Sequence, residues 1–84
     1  MRFCLITFRS VTPAQKGESV LHRMGIECAI QRTPRWMAEQ GCGYSLRLHQ
    51  RDVAQAVQRL RETDTHFRKV YCQQAKGVYE ELEL

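Results

Sequence analysis

Residues 2–31, RFCLITFRSVTPAQKGESVLHRMGIECAIQ, decide the fold. Residues 2–8 are rich in aromatic and β-branched types, which are typical of a strand. An apolar stripe at helical spacing follows over residues 14–24, and Gly25 is placed to end that helix. Residues 26–31 alternate between apolar and more polar side chains, as in a strand with one buried face. The sequence therefore predicts a strand–helix–strand unit.

The second half of the chain has a similar layout. Residues 44–49 predict a third strand, an apolar stripe over residues 53–60 predicts a second helix, and residues 67–73 predict a fourth strand. Right-handed crossovers and a short link between the second and third strands favour an antiparallel sheet. We therefore expect an α+β, ferredoxin-like βαββαβ fold with four antiparallel strands and both helices on one face.

Charge divides the chain into a basic body and an acidic end. We interpret residues 1–74 as the ferredoxin-like domain and residues 75–84 as an acidic C-terminal tail, which contains Glu80, Glu81 and Glu83. Ten of the thirteen basic residues are arginines, and the formal net charge is +4. This distribution favours an anionic ligand or an acidic partner protein, and the simpler alternative is a solvated charged surface. The arginines do not cluster with aromatic residues, so nucleic acid is not an expected ligand.

The sequence contains no candidate membrane segment. No apolar run approaches the ~18 residues that a spanning helix needs, and the apolar stretch at residues 3–8 is shorter than the core of a signal peptide. We therefore expect a cytoplasmic protein that does not contact membranes, in a compartment that keeps cysteines reduced.

Four cysteines occur, and no pair has the short C-x-x-C spacing of a zinc or redox motif. A disulfide framework is therefore not expected. Cys4, Cys28 and Cys72 fall in predicted strands among apolar residues, and we expect them to pack as small hydrophobic side chains. Cys4 has an alternative role in supporting a site, because the first strand is central in this fold. The three histidines lie on separate elements without ligand spacing, so no metal site is predicted.

Cys42 is the cysteine that calls for a chemical explanation, because Gly41 and Gly43 flank it. Glycines remove side-chain crowding and permit unusual backbone angles, so a large partner could reach the thiol. The backbone N–H groups of residues 42, 43 and Tyr44 could converge on an anion, and a returning loop could bring Arg35 near the sulfur. A nearby cation and free amides would lower the pKa of the thiol. The alternative is a simple glycine turn in which the cysteine is incidental.

Trp36 lies in the same predicted loop and is interpreted either as a lid on the site or as a local anchor. Tyr44 follows the cysteine and either lines the site or packs in the strand, as strand tyrosines usually do.

The segment Thr33-Pro34-Arg35, a short linker, and then Cys42-Gly43 leading into a strand resembles the selenium/sulfur carrier-like family of small bacterial proteins. The resemblance covers residues 3–73. It implies that Cys42 carries the chalcogen, with Arg35 and Gly43 in support. Thr33 is a further candidate for a supporting residue. The linker Trp36–Gly41 departs from the family, which more often has small hydroxyl residues before the cysteine, and the acidic tail is not part of the pattern.

From these observations we expect a sulfur or selenium carrier that holds a persulfide or selenide on Cys42 and exchanges it with donor and acceptor proteins. No resident cofactor is expected. One alternative is a non-catalytic binding module for a soft metal or a small anion, and another is a regulatory partner that forms a homodimer. The sequence has no Ser-His-Asp set, paired carboxylates or phosphate loop, so a stand-alone enzyme is the least favoured class.

Overall fold

The computed structural model describes residues 2–36 and 43–82, and it is an α+β fold with two α-helices and five strands. The elements in chain order are β1 (Phe3–Phe8), α1 (Val11–Arg23), β2 (Cys28–Arg32), β3 (Tyr44–His49), α2 (Val53–Glu62), β4 (Val70–Ala75) and β5 (Val78–Leu82), with a short 3-10 turn at Gln50–Asp52 before α2. The predicted order of the first four strands and the two helices is therefore present.

The strands form one antiparallel sheet in the order β2-β3-β1-β4-β5. The prediction of four strands was wrong, because residues 78–82 of the predicted tail pair with β4 as a fifth strand. Gly77 has φ +77° in the two-residue turn between β4 and β5, so the chain can reverse there. Glu80 and Glu81 gave this segment its tail-like composition, but charged side chains are well tolerated on an edge strand.

The helices cover one face of the sheet. Alternate residues of β1, namely Cys4, Ile6 and Phe8, point into a single hydrophobic core that also contains buried residues of both helices. The buried helix residues are Ala14, Gly17 and Leu21 of α1 and Val53, Ala56, Val57 and Leu60 of α2. Both helices therefore pack on the same side, as predicted.

Gly17 sets how closely α1 approaches the sheet. A Cβ atom at this position would lie 3.1 Å from both the Leu46 Cδ1 and the Phe8 Cζ atoms. Phe8 is only 1% exposed and Leu46 is fully buried, so neither side chain has free space to move into.

Gly25 ends α1 as the sequence predicts. Its φ of +78° is left-handed, its N–H donates to the His22 carbonyl, and the Ile26 N–H donates to the Leu21 carbonyl, each at 3.0 Å. These two bonds are those of a Schellman motif, and Ile26 and Leu21 are both buried beside them.

The opposite face of the sheet, which we call the open face, has neither helix on it. Its residues follow from the strand register and are Phe3, Leu5, Thr7, Ala29, Gln31, Ser45, Arg47, His49, Tyr71, Gln73, Tyr79 and Glu81. Leu5 is nevertheless only 1% exposed, and it lies directly between Arg47 and Tyr71 on the neighbouring strands. Long and aromatic side chains therefore cover the centre of this face.

Replacing Gly17 with valine is expected to lower the free energy of unfolding by about 2 kcal/mol, because added atoms in a packed core force neighbours out of position. Ser19→Val is the matched control, since Ser19 lies exposed on the same helix and should lose only the few tenths of a kcal/mol of helix propensity. Urea denaturation of both variants measures the difference. Equal losses in the two variants would contradict the close helix–sheet contact.

Candidate functional site

The candidate site is the connection between β2 and β3, residues 33–43, which we call the β2–β3 loop. Residues 33–36 and Gly43 are described, whereas the predicted site residues Gly41 and Cys42 lie outside the described residues. The site can therefore be built from the two ends of the loop.

The base of the loop is closed by two hydrogen bonds. The Thr33 N–H donates to the Gly43 carbonyl at 3.1 Å, which continues the β2–β3 ladder by one pair. The hydroxyl groups of Thr33 and Ser45 are 2.6 Å apart, and Ser45 is fully buried. A buried hydroxyl needs a partner, so this contact fixes Thr33 against β3. Thr33 thus has a structural role at the loop base, and Ser45 is a site-supporting residue that the sequence analysis missed.

Gly43 lies against the end of β1. A Cβ atom there would be 3.1 Å from the Phe8 carbonyl oxygen, which is backbone and cannot move aside easily. The next residue, Tyr44, pairs with Phe8, and α1 begins three residues after Phe8, at Val11. The first turn of α1 has no acidic residue, and its N-cap, Ser10, makes no side-chain cap bond. The loop base therefore lies at the end of the sheet where the positive end of the α1 dipole also begins.

Trp36 anchors the described start of the loop to β4 and β5, which lie at the other edge of the sheet from β2. Its ring centroid is 5.7 Å from that of Tyr71 on β4, in an edge-to-face arrangement, and 6.2 Å from that of Tyr79 on β5. Both distances are in the range of favourable aromatic pairs. Trp36 is still 62% exposed. The structure therefore favours the anchor interpretation of Trp36 and adds two aromatic residues that the sequence analysis did not connect with the loop.

Tyr44 is partly buried, whereas Arg35 is exposed. Tyr44 is half-buried and packs on the hydrophobic core, on the helix side of the sheet, with the Arg32 guanidinium 5.7 Å from its ring centroid. This is the packing role that strand tyrosines usually have. Arg35 is exposed next to Trp36. Its predicted approach to Cys42 involves a residue outside the described part of the chain and stays a prediction.

Cys4 and Cys72 form a disulfide, so the expectation that the chain has none was wrong. The two residues are directly opposite in β1 and β4, with Cα atoms 4.0 Å apart. They are separated by 68 positions in sequence, and that spacing carries no signal of the pairing. Cys4 is fully buried in the helix-side core and pairs with Leu48, four residues along β3 from Tyr44. The structure therefore does not bring Cys4 to the loop base.

Cys28 is the free cysteine among the described residues. It is 8% exposed, and burial, with a smaller contribution from the negative charge of Glu18, raises the pKa of its thiol to about 11. It lines a cleft of about 140 Å³ together with Phe3, Arg47 and His49, at the opposite end of β3 from Gly43. Cys28 is thus a protonated thiol away from the loop.

Within residues 2–36 and 43–82, no three His, Cys, Asp or Glu side chains are grouped closely enough to hold a metal ion. Neither helix of this described part has the length and apolar character needed to cross a membrane.

Comparison with known proteins identifies the class. A family model described as "Putative Se/S carrier protein-like" matches residues 3–72. This is most of the chain and includes the Cys42-Gly43 pair, so the chain belongs to that Se/S carrier-like family, as the sequence resemblance suggests. No curated protein and no solved structure matches the chain.

Thr33→Val is expected to destabilise the protein by about 1–3 kcal/mol, because it removes the hydroxyl that the buried Ser45 hydroxyl contacts. The double variant Thr33→Val/Ser45→Ala should lose less than the sum of the two single losses, since no hydroxyl is then left without its partner. Urea unfolding of the wild type, the two single variants and the double variant gives the coupling energy between the two hydroxyls. Strictly additive losses would contradict the contact at the loop base.

The raised pKa of Cys28 predicts a specific alkaline loss of stability. The ordinary value is 9.0 and the folded value is about 11, so the folded state retains a proton that the unfolded state releases between these pH values. The contribution is fully present below pH 9 and is lost as the pH rises through 11. Wild-type protein should therefore lose unfolding free energy across this window more steeply than Cys28→Ala, as measured by urea denaturation at each pH. Parallel curves would contradict the buried thiol.

Proposed function

We propose that this protein is a sulfur or selenium carrier that holds a persulfide, or the corresponding selenide, on Cys42 for transfer between partner proteins. The observation that carries the proposal is the match of residues 3–72 to the Se/S carrier-like family, because the matched region contains Cys42 and Gly43. The alternatives of a soft-metal module or a regulatory dimer have no comparable support among the described residues.

The other cysteines favour Cys42 by elimination. Cys4 and Cys72 are joined to each other, so neither offers a thiol in this state. Cys28 is buried and its thiol pKa is about 11, so it is protonated near neutral pH. The thiolate is the nucleophile in sulfur transfer. Of the four cysteines, Cys42 is the one for which the sequence places no apolar neighbours at its sides, only glycines.

The proposed transfer is a thiol exchange that needs no general base or deep pocket. The Cys42 thiolate attacks the outer sulfur of a donor persulfide, the donor's sulfur–sulfur bond breaks, and the donor leaves as a thiolate. Cys42 then carries one additional sulfur atom as its persulfide. An acceptor thiolate repeats the same step on that sulfur and restores the Cys42 thiolate. The oxidation level is conserved at each exchange, so the carrier needs no redox cofactor.

The loop ends suit such a carrier. Thr33 and Gly43 close the loop base, and Trp36 fixes its outgoing side on β4 and β5. The exposed Arg35 would attract an anionic perchalcogenide and lower the pKa of the thiol. We also interpret β2-β3-β1-β4 with its two helices as a ferredoxin-like unit, which β5 extends at the β4 edge.

Incubation of the protein with inorganic polysulfide, followed by intact-mass measurement, tests the proposal. The wild type should gain the mass of a sulfur atom, a thiol reductant should remove it, and Cys42→Ala should not gain it. Cys28→Ala is the matched control and should load like the wild type, because its buried, protonated thiol does not react. Equal loading of Cys42→Ala and the wild type would refute the assignment.

A further inference from the structure

The β4–β5 hairpin, residues 70–82, has a short attachment to the rest of the sheet. β4 pairs with β1 over three registered positions, from Cys4↔Cys72 to Ile6↔Val70, whereas it pairs with β5 over five. Beyond Val70 the attachment continues through hydrogen bonds between Thr7 and Lys69. The covalent link between the hairpin and β1 is the Cys4–Cys72 disulfide, which joins the last of the three registered pairs.

Trp36 rests on this hairpin. Of the two rings that it contacts, Tyr71 is the chain neighbour of Cys72 and pairs with Leu5, and Tyr79 is on β5. Both supporting rings therefore belong to the hairpin and none to the β2–β3 ladder from which the loop starts. A movement of the hairpin relative to β1 therefore changes the contacts of Trp36 with these two rings.

We propose that Cys4–Cys72 is a redox site, reduced by a dithiol, and that its reduction loosens the β4–β5 hairpin and weakens the contact of Trp36 with Tyr71 and Tyr79. The proposal rests on described residues alone. It goes beyond the carrier function and does not require Cys42 to hold sulfur.

The reaction is a two-step thiol–disulfide exchange. One thiolate of the dithiol attacks a sulfur of the pair, the protein's sulfur–sulfur bond breaks, and the other cysteine leaves as a thiolate and takes up a proton. The second thiol of the reductant then attacks the mixed disulfide, which releases the second cysteine as a thiol and closes a disulfide in the reductant. The protein gains two electrons and two protons, and the dithiol loses them.

Burial determines how the pair is reached. Cys4 and Cys72 are both fully buried, so a reductant meets the sulfur atoms only when the hairpin parts from β1. The rate of reduction should therefore follow local opening of the hairpin and rise in mild urea. Cys28 does not exchange with the pair in the folded protein, because Leu48 separates it from Cys4 in the same row of the sheet and its thiol is buried.

Trp36 is the only tryptophan in the sequence, so its fluorescence reports directly on the proposed change. Native wild-type protein is treated with excess dithiothreitol. Portions are alkylated in urea and analysed by peptide mass to follow Cys4 and Cys72, while fluorescence and far-ultraviolet circular dichroism are recorded on the unalkylated sample. On reduction we expect a red shift of the emission and stronger quenching by acrylamide, with helix content retained. Amide exchange at Tyr71, which pairs with Leu5 of β1, should accelerate by about tenfold or more, because the crosslink no longer limits local opening.

Three variants sharpen the test. Cys28→Ser and Cys42→Ser should respond like the wild type, which assigns the effect to the disulfide and separates it from sulfur loading. Cys4→Ser/Cys72→Ser should show the red-shifted emission without reductant. If this double variant does not fold, the reduced wild-type protein supplies the same measurement.

Three results would overturn the proposal. A pair that resists excess dithiol in native buffer for a day is not a redox site. Reduction that leaves the Trp36 emission and the Tyr71 exchange unchanged disproves the coupling. Reduction that abolishes the circular dichroism signal shows that the disulfide is a crosslink for the whole fold instead of a local device.

Discussion

The structure depends on the burial of β1 on both faces and its pairing along both edges. Its residues from Cys4 to Phe8 are all 5% exposed or less, and the strand pairs with β3 on one side and β4 on the other. One face supplies Cys4, Ile6 and Phe8 to the helix-side core, and the other carries Leu5 and Thr7, of which Leu5 lies between Arg47 and Tyr71. A strand in this position fixes the register of every element beside it, because a shift of one residue would exchange the two faces.

The end of β1 also determines where the β2–β3 loop starts. Gly43 lies against the Phe8 carbonyl, and Ser45, two residues later, pairs with Thr7 and contacts the Thr33 hydroxyl. The loop is therefore anchored at its base on the central strands and, through Trp36, on the outer hairpin. The two described ends of the loop, at Trp36 and Gly43, are therefore held by different parts of the sheet.

The three cysteines in the described part of the chain occupy two chemically different environments. Strand pairing places Cys4 and Cys72 opposite each other on adjacent strands, where they are joined as a disulfide. Burial keeps a third protonated by raising the pKa of Cys28 to about 11. The proposed carrier function needs a thiol with neither constraint, and Cys42, which glycines flank in the sequence, is the candidate for it.

The sequence by itself determined the α+β class, the two helices, the first four strands and the end of α1 at Gly25, because these depend on local periodicity and on glycine's backbone freedom. It also contained the Thr33-Pro34-Arg35 and Cys42-Gly43 segments that carry the family resemblance.

Other features needed the tertiary structure. The charges of Glu80 and Glu81 concealed β5, whose pairing is visible only beside β4. Three of these features are contacts between residues that are far apart in sequence, or between a loop and the sheet. They are the Cys4–Cys72 disulfide, the Thr33–Ser45 hydroxyl contact and the packing of Trp36 on Tyr71 and Tyr79. Such contacts follow from strand order and register, which set distances between residues that local sequence patterns do not contain.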